Sequence, residues 1–451
     1  PAAAPTRRRR VARHMAGTVT GIVSPVRGKA NSNPWERPST ASRATTGITA
    51  EDASGGGDDG TPAPPWAKLA APAAGVGESG VPSLQEILCG WLARHLHAIE
   101  DLEHLPPHLS MLVRESIQRD RSLLKEESDL VVWLAAVFDG GDCTRLSLRW
   151  AAALTDDALR GIGSRPEWSR TLLSLDLAYC DAITDAGVCS IAEGIRGLEA
   201  LTLAGCRRCG DGAAAAIGLH LHRLRALNME LLPGLTDAGG QAVARGCGGR
   251  LEELLLGGCS KITSVTTALV ADHGGTTLRR LGLGGLRDLC DPDCEDIGRC
   301  GNLEWLELRA CGRISDNGIR FVGMLAARQA KARAQWEAAG GVATGDGVSP
   351  PPTLTHLDLG GLTRLSDVGL EKLLVRAVHL QTLDLRGCSR LSPDGLARAI
   401  LGMGVDGVPT TVAVEPPLHE LRRLTLAACP AATPELKARI DIVRPALQVV
   451  G

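Results

Sequence analysis

The chain has 451 residues, 44% hydrophobic and 22% charged, with only 8 Trp, 2 Phe and 1 Tyr, so any core it builds is filled with aliphatic side chains. Its formal charge of -2 divides unevenly: residues 1–50 hold nine Arg or Lys and one acid, which leaves -10 on the remainder. No stretch approaches the roughly 18 apolar residues of a membrane span, no apolar signal core follows the early arginines, and 14 Cys is well below disulfide-scaffold density; a non-secreted chain without membrane contact and with reduced cysteines is expected.

Residues 1–81 are rich in Ala, Pro, Gly, Ser and Thr, and include GGGDDG at 55–60. Such a segment cannot bury enough apolar surface to offset the entropy of ordering it, and a disordered tail is predicted. Arg7, Arg8, Arg9 and Arg10, with Arg13 behind them, form its one sharp feature. The cluster is compatible with a nuclear import signal, with an organelle transit peptide and with a solvated tail that addresses nothing. Nucleus or cytoplasm is the expected location, with an organelle as the alternative.

Order is predicted to begin at Pro82-Ser83. Ser83 followed by Glu86 is a capping box, in which each side chain satisfies a backbone N–H of the first helical turn. Leu84, Ile87, Leu88, Trp91, Leu92, His95, Leu96 and Ile99 then recur three and four apart, which places a helix over about 83–100. Leu105-Pro106-Pro107 interrupts it, because proline removes a donor and disfavours helix in the residue before it. A second helix is read through Leu109, Leu112, Val113 and Ile117, and a short apolar run follows at 130–137. A helical cap over residues 82–138, covering the end of a repeat array, accounts for this pattern.

From 143 to 451 the sequence repeats itself. LxxLxLxxC occurs at Leu172-Leu175-Leu177-Cys180, and returns with Cys206, Cys259, Cys311, Cys388 and Cys429; Leu232, Leu286 and Leu362 replace the cysteine in three further units. With an imperfect unit at Cys143 there are ten, starting at 143, 172, 198, 224, 251, 278, 303, 354, 380 and 421. The rhythm is about 26 residues, with surplus residues near 326–352 and 402–417. Between the leucine motifs stand Thr184-Asp185, Thr236-Asp237, Ser315-Asp316 and Ser366-Asp367, a hydroxyl and a carboxylate placed where a helix N-terminus favours both. Each unit therefore reads as strand, turn and short helix. The expected fold is an α/β leucine-rich-repeat solenoid, a horseshoe with an N-terminal helical cap and a disordered tail. The units resemble the cysteine-containing leucine-rich repeats of the F-box/LRR and antagonist-of-mitotic-exit type, which read LxxLxLxxCxxITDxGL.

A cysteine that leucine can replace is a small buried hydrophobe, and neither catalysis nor metal binding would tolerate that exchange. Cys290, Cys294 and Cys300 with His273 could supply four zinc ligands, but their spacing fits no common module and helix burial explains them as well. No nucleophile-base arrangement, phosphate loop or dinucleotide fingerprint is present, so a protein that is not an enzyme and has no cofactor is expected.

In LxxLxLxx the residues flanking the two central leucines alternate onto the concave sheet. Across the ten units they include the acids Asp176, Glu230, Glu253, Glu307, Asp358 and Asp384 and the arginines Arg145, Arg149, Arg280, Arg309, Arg386 and Arg423. A surface for nucleic-acid phosphates is strongly one-signed, so this balance argues for a protein partner. Trp305, Glu307, Arg309, His356, Asp358, Asp384 and Arg386 concentrate the chemistry that dominates interface hot spots, with Trp305 read as an exposed anchor.

Ser83-Leu84, Cys89, Ile99-Glu100-Asp101-Leu102-Glu103, Leu105-Pro106-Pro107-His108-Leu109 and Arg119-Asp120-Arg121 resemble the opening of the fungal-type LRR subunit of global-genome nucleotide-excision repair. With the repeats, the likeness covers about 83–450. It implies a substrate-recognition subunit of a cullin-type ubiquitin ligase, whose N-terminal helices dock elongin C or an Skp-type adaptor and whose repeats hold a target protein. The docking residues it implies are Leu84, Cys89, Leu92, Leu105, Pro106 and Leu109; Cys89 stands five residues after Leu84, where the elongin-binding pattern has four. A cell-cycle LRR regulator that binds a partner competitively and an organellar LRR scaffold are the alternatives.

Overall fold

The computed structural model describes residues 144–166, 168–340, 350–402 and 418–450, all within one compact unit spanning Asp58–Gly451. The predicted tail, the arginine cluster, the helices of 82–138 and the six adaptor-docking candidates lie outside the described residues. The described strands are β1 (Arg145–Ser147), β2 (Ser174–Asp176), β3 (Ala200–Thr202), β4 (Ala226–Asn228), β5 (Glu253–Leu255), β6 (Arg280–Gly282), β7 (Trp305–Glu307), β8 (His356–Asp358), β9 (Thr382–Asp384), β10 (Arg423–Thr425) and β11 (Gln448–Val450). They form one parallel sheet in strict chain order, each followed by helix except the last. This is the leucine-rich-repeat solenoid that the repeats predict.

The register follows from the leucines. Leu146, Leu175, Leu201, Leu227, Leu254, Leu281, Leu306, Leu357, Leu383 and Leu424 lie abreast in the middle of successive strands. They and the residues two positions on are buried against the helices, one continuous aliphatic core running the length of the array. Each such side chain contributes about 1.5–3 kcal/mol. A repeat buries this face only by stacking on its neighbours.

Three columns join unit to unit. In the first, the repeat cysteines are buried and donate their thiol protons to backbone carbonyls of the preceding unit: Cys180 to Leu148 O at 3.1 Å, Cys206 to Leu177 O at 3.0 Å, and Cys259 to Met229 O at 3.0 Å. Burial pushes the Cys180 and Cys311 thiols up to about 12, which keeps them protonated donors. A leucine there loses only this weak bond, hence the exchange.

In the second column the residue just before the cysteine or its substitute has positive φ in all ten units: Gly205, Gly258, Gly285, Gly361 and Gly387, but also Trp150, Tyr179, Leu231, Ala310 and Ala428. An L side chain in that conformation costs about 1–2 kcal/mol, and glycine costs about 0.5–1 kcal/mol in chain entropy. Ala310→Gly, at an exposed position with φ of 58°, is expected to stabilise the fold by about 0.5 kcal/mol, read as a rise in the urea midpoint.

The third column is carboxylate. The acid at each helix start reaches the next unit: Asp156 accepts from the Thr184 N–H at 2.8 Å and its hydroxyl at 2.6 Å. Asp211 does the same to Thr236, Asp237 to Thr263, Asp291 to Ser315 and Asp367 to Ser392, and Asp316 accepts from the N–H and hydroxyl of Ser366. The hydroxyls of Thr184, Thr236 and Ser315 also cap their own helices, as expected, whereas Ser366 makes no such cap. Ser264 stands where the acid would be in the helix Ser264–Gly274, and the column breaks there. Buried Asp293 bridges the gap, accepting from the Thr267 hydroxyl at 2.9 Å and the Cys290 N–H at 2.8 Å.

The array has one strand more than the ten predicted units. β11 pairs with β10 through Gln448, Val449 and Val450, and its sequence keeps Leu447 but lacks the rest of the motif. Among the described residues no helix is long and apolar enough to cross a membrane.

Candidate protein-interaction surface

The strand register sets the side chains on the open face of the sheet into rows. Arg280, Trp305, His356, Thr382 and Arg423 lie abreast in one; Gly282, Glu307, Asp358, Asp384 and Thr425 lie abreast in the next. Two residues beyond come Gly284, Arg309, Gly360, Arg386 and Ala427. All seven residues predicted for partner binding fall in this grid, and all seven line one groove of about 430 Å³ across β7 to β11. Arg423, Thr425 and Gln448 complete its wall. Gln448 is absent from the predicted set because β11 was not read as a unit; Arg423 was placed on this face, and its register with Trp305 is the signal that assigns it here.

The groove is layered by depth. His356, Asp384 and Glu307 are 4%, 8% and 9% exposed and form its floor, while Arg309 and Arg386 stand half out of it. The floor is buried because strands about 4.8 Å apart leave no water-sized gap between large side chains abreast. The expected exposure of Trp305 is corrected. It is half-buried, with the Arg280 guanidinium 4.8 Å from its ring centroid, so one ring face carries a cation–π contact. Arg280 is itself held by buried Glu253 at 3.4 Å, which sets the height of the guanidinium over the ring.

Three carboxylates abreast repel one another. Burial, reinforced by Asp358 and Glu230 and opposed by Arg309 and Arg386, pushes the Glu307 carboxyl up to about 7. Burial likewise raises the Asp358 and Glu230 carboxyls from their ordinary values. The arginines of the outer row lean back over the acids: Arg309 Nε lies 3.4 Å from Glu307 Oε1, and Arg386 lies 2.7 Å from Asp384 and 3.9 Å from Asp358. Gly284 makes this possible. A Cβ there would stand 2.5 Å from Glu307 Oε1, so the glycine that looks featureless in the sequence is the seat of the floor carboxylate.

The cysteines considered for metal occupy other places. Cys290 starts the helix Asp291–Ile297 and donates to Asp293 at 3.3 Å, while Cys294 and Cys300 are buried in the core. Among the described residues no group of three or more His, Cys, Asp or Glu is arranged to hold a metal ion.

A Leucine Rich repeat family model matches residues 169–192, the unit that contains β2. Among solved structures, the chain is similar to the Rad7–Elc1 complex in yeast, at 15% identity over 82% of this chain and 93% of that one, with a TM-score of 0.36. It is similar to the leucine-rich repeat-containing protein LegL7 from Legionella pneumophila at 14% identity, over 68% and 89% of the two chains, with a TM-score of 0.40. Internalin C2 from Listeria monocytogenes matches at 18% identity over 57% and 83%, with a TM-score of 0.34. Ten sequence repeats, a parallel sheet in chain order and the matched repeat together make the described residues a leucine-rich-repeat solenoid.

Proposed function

We propose that this protein is a non-enzymatic recognition subunit of a cullin-type ubiquitin ligase, in which the groove across β7 to β11 holds a target protein. The observation that carries the recognition role is the gathering of Trp305, His356, three carboxylates and two half-exposed arginines into one groove. Aromatic and arginine side chains in a partly desolvated depression dominate protein interfaces. The ligase assignment rests on the sequence resemblance of residues 83–121, where Leu84, Cys89, Leu92, Leu105, Pro106 and Leu109 would dock elongin C or an Skp-type adaptor. The same resemblance extends the proposal to nucleotide-excision repair in the nucleus, with Arg7–Arg10 as the import signal.

Affinity purification of the full chain tests this directly. Recovery of a cullin with an elongin- or Skp-type adaptor is expected, and its loss on Leu84→Glu with Leu105→Glu assigns the docking to the 82–138 segment. A purification that contains no cullin and no adaptor contradicts the ligase assignment, and organellar import of a reporter fused to residues 1–60 contradicts the nuclear one.

A further inference from the structure

A second charged site lies outside the groove, on the edge where the chain enters the strands. The positions just before β3 to β7 alternate in sign: Glu199, Arg225, Glu252, Arg279 and Glu304. Two pairs form along this edge, Arg225 with Glu252 at 3.2 Å and Arg279 with Glu304 at 2.8 Å. Two residues earlier in their units stand Arg223 and Arg250, both exposed. No carboxylate among the described residues is within ion-pair distance of either. Together Arg223, Arg225, Arg250 and Arg279 line a recess of about 320 Å³ in which Glu252 is the single carboxylate.

We propose that this recess binds the phosphate of a phosphoserine or phosphothreonine on a protein partner, independently of the concave groove. With Arg225 and Arg279 already paired, Arg223 and Arg250 leave two positive charges unbalanced. A phosphomonoester carries about -1.5 to -2 charge and three acceptor oxygens, which matches two guanidinium forks in both sign and number. Arg225 and Arg279 are held in place by their glutamates, so the recess walls are ordered before a ligand arrives. A nucleic-acid backbone is the poorer fit, because Glu199 and Glu304 bracket the patch on both sides and would repel phosphates continuing along the edge.

The test uses the full chain, immobilised, against degenerate peptide pools with a fixed central phosphoserine, serine or glutamate, against a duplex oligonucleotide, and with inorganic phosphate as competitor. The phosphoserine pool is expected to be retained about tenfold or more above the serine pool. Arg223→Glu and Arg250→Glu should each abolish that excess, whereas Arg386→Glu in the groove leaves it unchanged. Both reversed residues are exposed and unpaired, so their thermal unfolding should match the parent and keep the comparison valid. Equal retention of the serine and phosphoserine pools overturns the proposal, as does retention indifferent to both reversals. Retention of the duplex that both reversals remove reassigns the recess to nucleic acid, equal retention of the glutamate pool reassigns it to acidic segments, and displacement by equimolar inorganic phosphate reassigns it to the free ion; each of these overturns it as well.

Discussion

Asp237→Ala is expected to lower the unfolding free energy by about 3 kcal/mol. Asp237 accepts from the Thr263 N–H at 2.9 Å and from the Thr263 and Thr266 hydroxyls, each at 2.6 Å. Removing the carboxylate leaves three donors without an acceptor where two units meet, at about 1 kcal/mol each. Burial works against ionisation of Asp237, but the bonds from Thr263 and Thr266 outweigh it and hold the carboxyl below its ordinary value. A carboxyl depressed in the folded state contributes stability above its unfolded pKa and loses it as pH falls through the folded one. The difference between parent and variant in urea midpoint should therefore be full at neutral pH and shrink below about pH 4.

Glu307→Gln should act in the opposite direction. Burial holds the Glu307 carboxyl up at about 7 in the folded protein, well above the ordinary glutamate value of about 4.3. Between those values the folded state binds the proton that the unfolded state has released, so stability falls as pH rises through the interval. Glutamine keeps the volume above Gly284 and cannot ionise. The variant is expected to be more stable than the parent by about 2 kcal/mol at pH 8, with the advantage vanishing near pH 5. Thermal unfolding at the two pH values measures it, and a difference independent of pH would show that the Glu307 carboxyl is not raised in the folded protein.

The repeat leucines were legible in the sequence because one periodicity specifies them, and each lies where its motif places it. The rows of the open face were equally legible: residues equivalent in the motif become neighbours in register, so Trp305, His356 and Thr382 meet although up to 77 positions apart in number. Depth was not legible. Whether Glu307 or Arg309 is buried depends on Gly284 in the preceding unit, a relation between units that no single motif contains. The inter-unit role of Asp237 and its counterparts was hidden for the same reason. An acid at a helix start already has a sufficient local explanation in the dipole, and only the hydroxyl one unit later, present at Thr184, Thr236, Thr263, Ser315, Ser366 and Ser392, points to the second bond. The recess at Arg223 and Arg250 escaped because those two arginines precede the leading leucines of their units, outside the motif.

The recognition role of the groove is tested most directly by comparing proteins captured by the full chain with those captured by its Trp305→Ala and Arg386→Glu variants. Both residues stand on the groove and neither anchors a core leucine, so the fold should survive either change. A target protein should be recovered by the parent and fall about tenfold or more with each variant, while the cullin and adaptor are captured equally by all three. Capture of every partner at unchanged levels by both variants would contradict the groove as the recognition surface.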